Sequence, residues 1–115
     1  SSERAELASR FACAHGCILV LKGHRTRIAL PDGRMLVTTS GCSALSKGGS
    51  GDVLTGLIAS LLCQGMGAAE AAVLGVWLHG RAGELLAQEM TAYCASPREL
   101  VMRGLGLAFR ELLEA

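Results

Sequence analysis

The first part of the chain shows two different patterns of apolar residues. Residues such as Leu7 and Phe11 recur at helical spacing among charged residues, which predicts a helix over residues 3–15. Gly16 is the expected end of this helix, because glycine readily adopts the left-handed conformation that follows a last helical turn. The next residues, 17–21, are apolar without interruption. Such a run is typical of a strand covered on both faces, as in a parallel sheet flanked by helices.

A hairpin of two strands is predicted next. Two short segments that favour strands, residues 27–30 and 35–38, flank a turn that contains Asp32 and Gly33. Asp-Gly between two such segments is a strong hairpin signal, because both residues tolerate a positive φ. The chain then enters residues 39–51, which are rich in serine and glycine and are predicted to form a loop.

Three further helices are predicted in the second half of the chain. Residues 52–64 place aliphatic side chains on one broad face at helical spacing. Residues 68–90 form a longer and more apolar helical stretch. Pro97 then interrupts the pattern before an amphipathic helix over residues 98–113.

Length and composition limit the classes of protein to which the chain can belong. At 115 residues it suits one domain, residues 1–115, and half of its residues are hydrophobic, so a packed core is expected. Three strand candidates make a small sheet, so this domain is interpreted as the C-terminal part of a larger α/β domain. The net charge of +1 and the 3% of aromatic residues argue against a nucleic-acid-binding surface.

Targeting signals and cysteine usage favour a cytoplasmic protein. The sequence shows no signal peptide and no apolar stretch long enough to span a membrane. The cysteines form no C-x-x-C pair and have no histidine at ligand spacing, so no zinc site is expected. Free thiols in a reducing compartment are the simplest interpretation of the five cysteines, Cys13, Cys17, Cys42, Cys63 and Cys94.

The strongest chemical pattern is residues 47–52, Lys-Gly-Gly-Ser-Gly-Asp, directly before a predicted helix. Glycines let backbone N–H groups approach a ligand together, and a helix N-terminus adds free N–H groups and the positive end of a dipole. An anion such as phosphate is therefore the expected ligand. The lysine precedes the glycines, and no third glycine follows at the Rossmann offset, so the segment is neither a Walker loop nor a dinucleotide fingerprint.

Four polar residues each allow two interpretations. Asp52 is either the N-cap of the following helix or a general base that takes a proton from a hydroxyl attacking phosphorus. Ser50 either donates a hydrogen bond or is a small residue that the turn tolerates. Lys22 is either a solvated strand end or a phosphate contact. His79, on the apolar helix, is interpreted as a packed residue rather than as a catalyst.

The long apolar helix contains features that indicate close packing. Trp77 is expected to lie in the core or to anchor an interface. Glycine inside a helix costs up to about 1 kcal/mol, so its repeated use there indicates that a neighbour approaches the backbone closely. The glycines concerned are Gly75, Gly80 and Gly83.

Three segments together closely resemble the NAD(P)H-hydrate dehydratases of the ribokinase-like superfamily. They are Val-Leu-Lys-Gly-x-x-Thr over residues 20–26, the glycine segment with its flanks over residues 44–56, and Ala-Ala-Val-Leu-Gly-Val-Trp-Leu-His-Gly-Arg-Ala-Gly over residues 71–83. The resemblance runs over nearly the whole chain and covers only the C-terminal part of the family's longer domain. It implies an α/β fold, the C-terminal part of a ribokinase-like three-layer α/β/α sandwich around a mostly parallel sheet.

The resemblance also implies an activity, the nucleotide-dependent dehydration of hydrated NADH or NADPH, which restores the usable cofactor. ADP or ATP would transfer a phosphoryl group to the hydroxyl, and phosphate would then leave, pushed by the ring nitrogen. A Mg²⁺ ion on the nucleotide phosphates is an expected participant, while no protein ligand for a metal is evident in the sequence.

Residue roles follow from the same resemblance. Asp52 would contact the hydrated nicotinamide and deprotonate the hydroxyl, while backbone N–H groups of Gly49, Ser50 and Gly51 hold the charge of the transferring phosphate. The residues implied for nucleotide binding are Lys22, Gly23, His24, Arg25 and Thr26, together with Gly51. One departure from the family is Cys42-Ser43, where the family has an Asn-Pro or Asn-Ser pair. A thiol cannot replace the hydrogen bonds of an amide, so this corner would contact the substrate differently.

Two alternatives stay open at this point. A small-molecule kinase of the same superfamily, acting on a sugar or a hydroxymethylpyrimidine, would use the glycine segment in the same way. The chain could instead be an inactive, truncated fragment that self-associates, since missing strands would leave an apolar face and a bare sheet edge. Both the fragment and the enzyme interpretation lead us to expect a homo-oligomer.

Overall fold

A computed structural model describes residues 2–23, 25–41 and 48–114 of the chain. Every helix and strand predicted from the sequence is present, with ends that differ by a few residues. The elements in chain order are helix α1 (Ser2–His15), strands β1 (Leu19–Leu21), β2 (Arg27–Ala29) and β3 (Met35–Val37), helices α2 (Ser50–Cys63), α3 (Ala68–Cys94) and α4 (Pro97–Glu99), a π-helical segment (Leu100–Gly104), and helix α5 (Leu105–Glu114).

Helix α1 covers one face of the sheet. The strands lie in the order β1-β2-β3, and alternate side chains point to opposite faces. Leu19, Ala29 and Met35 are paired across the three strands. They pack with Ala8 and Ala12, which are buried on α1. Small residues on the helix therefore let it lie close to the sheet.

Helices α2 and α3 cover the opposite face of the sheet. Val20, Ile28 and Leu36 are also paired across the strands, and each is the sequence neighbour of a residue that faces α1, so they point to the other face. They pack with Leu54 of α2 and Val76 of α3. The sheet thus lies between two helical layers, which confirms the predicted three-layer α/β/α arrangement. A further core cluster joins the helices to one another and includes Leu57, Leu78, Leu86 and Leu100.

The strand direction corrects one expectation. The apolar run of residues 17–21 favours a parallel sheet, but β1 pairs antiparallel with β2, and β2 pairs antiparallel with β3. Residues 22–26, which join the first two strands, are too few for a parallel crossover, which needs about a dozen residues or more. The run is apolar because helices cover both faces of the sheet, and this covering does not depend on strand direction.

The predicted hairpin turn is confirmed in detail. Gly33 has a φ of 96°, a conformation that glycine adopts without a steric penalty. The backbone N–H of Leu30 donates to the carbonyl oxygen of Arg34 at 2.9 Å, which closes the turn. Asp32 accepts the backbone N–H of Arg34 at 3.0 Å and also its side-chain Nε at 2.7 Å. The Asp-Gly pair therefore acts through both its backbone and its carboxylate.

The last helices contain two irregular points that the sequence pattern does not predict. Thr91, near the end of α3, has a φ of 66° and a ψ of 153°, outside the helical region. Further on, the π-helical segment joins α4 to α5, so that the predicted helix over residues 98–113 is continuous but unevenly wound. In the part of the chain that the structure describes, no helix is both long and apolar enough to cross a membrane.

Candidate functional site

The glycine segment ends at the first turn of α2. Gly49 is the N-cap residue, with a φ of 93°, and no side chain forms a capping hydrogen bond there. Asp52 is the third residue of the helix, so its interpretation as the N-cap is wrong. The position of the cap requires glycine, because the left-handed conformation disfavours a side chain and an added Cβ would lie 3.2 Å from Cγ of Pro97.

Lys22 lies directly over the first turn of α2. A Cβ added to Gly51 would collide with Nζ of Lys22, so the ammonium group occupies the space that a side chain at this position would need. Gly51 is the second residue of the helix, where backbone N–H groups have no partner within the helix. A lysine ammonium and free helical N–H groups therefore converge at one point, and this arrangement suits an anion.

Ser50 and His79 lie beneath the same turn. Ser50 is 1% exposed and His79 is 4% exposed. Nε2 of His79 is 2.9 Å from the carbonyl oxygen of Ser50. A carbonyl oxygen only accepts hydrogen bonds, so Nε2 carries the hydrogen and donates it. The interpretation of His79 as a packed helix residue is confirmed, and the packing includes this specific contact with the glycine segment.

The environment of His79 keeps its imidazole neutral. Burial is the largest cause and lowers the pKa of His79 from its ordinary value of 6.5. The hydrogen bond to Ser50 opposes this effect, and the nearby positive charge of Lys22 adds to the lowering of the pKa. Lys22 lies over Gly51 and His79 binds the carbonyl oxygen of Ser50, so the two side chains meet the same turn of α2 at neighbouring residues.

The residues that precede the glycine segment are also bound to α3. Oγ of Ser40 donates to the carbonyl oxygen of Trp77 at 3.2 Å, and the backbone N–H of Gly41 donates to Oε2 of Glu84 at 3.2 Å. Gly80 permits this approach, because a Cβ there would lie 2.8 Å from the carbonyl carbon of Ser40. The predicted close packing at Gly80 is therefore confirmed.

The close packing predicted at Gly75 is also confirmed. A Cβ at this position would lie 2.6 Å from Cγ1 of Ile58, so the absence of a side chain lets α3 approach α2. Gly83 is buried on the same helix. Trp77 is partly buried and packs against the helical core cluster, which favours the core interpretation of this residue.

The other predicted site residues lie around this point. Asp52 is exposed, and its carboxylate forms no hydrogen bond or ion pair with the other residues that the structure describes. Gly23 and Arg25 are exposed in the connection between β1 and β2. Thr26 is half-buried at its end, and its carbonyl oxygen accepts the backbone N–H of Thr38 at 2.9 Å. His24 and the Cys42-Ser43 pair lie outside the described residues.

The residues present do not form a metal site of their own. Across residues 2–23, 25–41 and 48–114, no group of three or more His, Cys, Asp or Glu side chains could hold a metal ion. Asp52 alone offers a carboxylate at the first turn of α2.

Three contributors to the site were missed by sequence reasoning. Pro97 was interpreted only as a helix break, although it packs against Gly49. Ser40 and Glu84, which hold the chain before the glycine segment, are not recognisable as site residues when each is taken alone. Gly80 and Glu84 are four residues apart and so share one face of the helix, and this spacing could have indicated that the face meets another part of the chain.

Comparisons with known proteins identify the family of the chain. The family model described as NAD(P)H-hydrate dehydratase matches residues 1–102 of the chain. The ADP-dependent (S)-NAD(P)H-hydrate dehydratase of Neisseria meningitidis is 44% identical over 85 residues, which are 74% of this chain and 29% of that protein. The enzyme of the same name from Bacillus subtilis is 41% identical over 98 residues, which are 85% of this chain and 36% of that protein.

Solved structures show the same likeness in three dimensions. The ADP/ATP-dependent NAD(P)H-hydrate dehydratase of Bacillus subtilis, co-crystallised with ATP and Mg²⁺, has a TM-score of 0.88 and 37% identity, over 96% of this chain and 39% of that one. A ribokinase-like superfamily protein from Enterococcus faecalis has a TM-score of 0.75 and 31% identity, over 89% of this chain and 35% of that one. The chain thus spans about a third of the length of these relatives. It has the ribokinase-like α/β fold over that part and belongs to the NAD(P)H-hydrate dehydratase family.

Proposed function

We propose that this chain carries the nucleotide-phosphate part of an ADP- or ATP-dependent NAD(P)H-hydrate dehydratase. The observation that carries the proposal is the position of the Lys22 ammonium over Gly51, at the free N–H groups of α2. Relatives named as ADP-dependent dehydratases, and one co-crystallised with ATP and Mg²⁺, support a nucleotide as the anion. We further propose that residues 1–115 act as a single, partial domain.

Nucleotide binding is assigned to the connection between β1 and β2 together with α2. Lys22 pairs with a phosphate oxygen, and the backbone at Gly51 donates to the same phosphate group. Gly23, Arg25 and Thr26 stay predictions for the remaining nucleotide contacts, and so does His24. Their support is the position of this connection, one end of which already touches the first turn of α2.

The chemical step is assigned to Asp52. Its carboxylate accepts the proton of the substrate hydroxyl while that oxygen forms a bond to phosphorus and the nucleotide's own P–O bond breaks. The C–O bond of the phosphate ester then breaks, and phosphate leaves with the bonding electrons, assisted by the lone pair of the ring nitrogen. Loss of a proton from the neighbouring ring carbon restores the dihydronicotinamide. Asp52 suits the first role because it is exposed and makes no bond to another described side chain.

Charge stabilisation is assigned to the backbone of the glycine segment. The N–H groups of Gly49, Ser50 and Gly51 lie at or before the first helical turn, where a developing negative charge is favoured. The side chain of Ser50 is buried, so its contribution to this step comes through the backbone. Mg²⁺ stays an expected participant through the nucleotide phosphates, and none of the steps assigned to the chain depends on it.

Two further features of the protein are proposals. A reducing, cytoplasmic location fits the free thiols of Cys13, Cys17 and Cys63. A homo-oligomer fits the exposed apolar side chains of α1, where Leu7 is 63% exposed and Phe11 is 50% exposed.

The test is titration of the chain with ADP and ATP, followed by thermal unfolding and by calorimetry. We expect a saturable rise in melting temperature, since a ligand that binds only the folded state stabilises it. Lys22→Met should weaken nucleotide binding by about tenfold or more, because a charge-assisted hydrogen bond is lost. Arg10→Met, which removes one exposed positive charge from α1, is the matched control and should bind like the wild type.

The catalytic assignment is tested by Asp52→Asn. This variant should still bind nucleotide but should lose the formation of NADH from hydrated NADH, followed by absorbance. Normal turnover in Asp52→Asn would contradict the assignment of the base. Phosphorylation of a sugar or of a hydroxymethylpyrimidine, with no action on hydrated NADH, would favour a ribokinase-like kinase instead. Absence of nucleotide binding in the wild-type chain would favour the inactive fragment.

A further inference from the structure

Helix α3 is bound to the chain both before the glycine segment and within it. Before the segment, Ser40 donates to Trp77 and Gly41 donates to Glu84. Within it, His79 donates to the carbonyl oxygen of Ser50. All three contacts involve residues 77–84, a stretch of about two turns. One helix therefore holds both the chain that leads to the segment and the segment's own first helical residue.

We propose that His79 is a positioning residue that fixes the first turn of α2, and with it Gly51 and Asp52, relative to Lys22. The proposal rests on the proposed function, because what His79 positions is the assigned phosphate site. His79 does not contact the ligand. Its role is to hold the backbone that does.

The local backbone gives this contact its importance. Gly49 and Gly51 flank Ser50, and glycine loses more conformational entropy on ordering than any other residue. The first backbone bond of the helix, from the N–H of Val53 to the carbonyl oxygen of Gly49, is long at 3.3 Å. The buried bond of 2.9 Å from His79 to Ser50 therefore adds a shorter restraint to a turn that begins with a weak backbone bond.

The geometry also separates positioning from simple packing. Filling space requires only the size of the histidine ring. Here Nε2 also forms a hydrogen bond to a main-chain oxygen 29 positions earlier in the chain, which packing alone does not require. The carbonyl of Ser50 points away from the N-terminus of its helix, so a donor beneath it leaves the N–H of Gly51 open to a ligand. His79 and the anion thus bind opposite sides of the same turn.

The experiment compares three variants by hydrogen exchange of the first-turn amides of α2 and by ADP binding. His79→Leu removes the donor and keeps an apolar side chain of similar size. His79→Gln keeps a donor near the position of Nε2 and is the conservative replacement. Leu86→Val removes one buried methylene from the same helix and controls for a general loss of stability.

In His79→Leu, exchange at the amides of Val53 and Leu54 should rise by about three- to tenfold, as expected for one lost hydrogen bond. The affinity for ADP should fall by a similar factor, while exchange at the other end of α2 stays as in the wild type. His79→Gln should restore both readouts. Leu86→Val should lower the melting temperature without a selective change in the first turn.

Three outcomes are decisive. First-turn exchange and ADP affinity that are unchanged in His79→Leu would overturn the proposal. Equal losses in His79→Leu and Leu86→Val would also overturn it, because a general loss of stability would then explain both. If the wild-type chain binds no nucleotide, the proposed function fails, but the selective rise in exchange still decides whether His79 holds the turn.

Discussion

Gly51 leaves the space that the Lys22 ammonium occupies, and a side chain at this position would take that space without unfolding the helix. The added methyl group of Gly51→Ala would meet only the far end of the Lys22 side chain, which can move away. Alanine also favours the helix by up to about 1 kcal/mol relative to glycine. The site therefore loses its ammonium group while the fold loses nothing.

We predict that Gly51→Ala keeps or raises the melting temperature and weakens ADP binding by about tenfold. Gly56→Ala is the matched control, because Gly56 is exposed on the same helix with open space around its Cα. It should raise stability and leave ADP binding unchanged. Calorimetric titration of both variants with ADP measures the difference in affinity. Equal affinities would show that Lys22 does not contact the nucleotide.

His79 predicts a specific dependence of stability on pH. Its folded-state pKa is lowered by burial and by Lys22, so the unfolded chain takes up a proton at a higher pH than the folded chain does. The contribution of the neutral imidazole to stability is complete above the ordinary pKa of 6.5 and is lost as the pH falls through the lowered folded value.

Urea unfolding of the wild type between about pH 5 and pH 7 should show this loss, since histidine is the side chain that ordinarily titrates there. His79→Gln should have a flatter profile over the same range. The lowered pKa values of Asp32, Glu89 and Glu111 act at more acidic pH and do not enter this window. An equally steep profile in His79→Gln would assign the dependence to another group.

At the scale of the elements, Thr91 is the clearest point of backbone strain among the residues that the structure describes. Its φ of 66° and ψ of 153° lie in a region that is open essentially to glycine, and such a residue costs about 1–3 kcal/mol. We predict that Thr91→Gly raises the free energy of unfolding by about 1 kcal/mol, after the entropic cost of glycine is subtracted. Thr55→Gly, within the regular part of α2, should lower it by up to about 1 kcal/mol. Urea unfolding of the two variants checks the sign, and a loss in both would mean that Thr91 is unstrained.

The sequence predicts the elements well because each has a local cause. Hydrophobic period, the glycine after α1 and the Asp-Gly turn act over a few residues, and the structure confirms all three. The strand direction depends on which elements cover the sheet and how long the connections are, and a single apolar run does not contain that information. The hydrophobic pattern continues through the irregular winding at Thr91 and at Leu100–Gly104, so it contains no sign of either.

At the scale of the whole molecule, the site could be predicted only in part. The glycine segment and Lys22 were found because their chemistry is visible in the residue types. The contacts from Ser40, His79 and Glu84 join positions about 30 to 40 residues apart, and they depend on how α3 crosses the chain. Pattern reasoning pointed to the side that we propose faces the ligand, and it missed the contacts that support this side from α3.

The oligomeric state is a testable property of the whole chain. Sedimentation velocity over a range of concentrations should show reversible self-association, because Leu7 and Phe11 leave apolar area exposed on α1. Replacing both by glutamate should shift the protein towards monomer. Gln64→Glu, which adds a negative charge at an exposed polar position after α2, is the control and should not change the distribution. A wild-type chain that stays monomeric at all concentrations would contradict the proposal.

The order of the strands has a consequence for how the chain folds during its synthesis. Because β1, β2 and β3 pair in sequence order, the sheet and α1 can assemble as soon as Val37 has left the ribosome. The opposite face of this nascent sheet, with Ile28 at its centre, then waits for Leu54 and Val76 to be translated. Its exposure lasts for several seconds at ordinary rates of elongation. This interval is the time at which a chaperone that recognises apolar β-sheet surfaces would bind the growing chain.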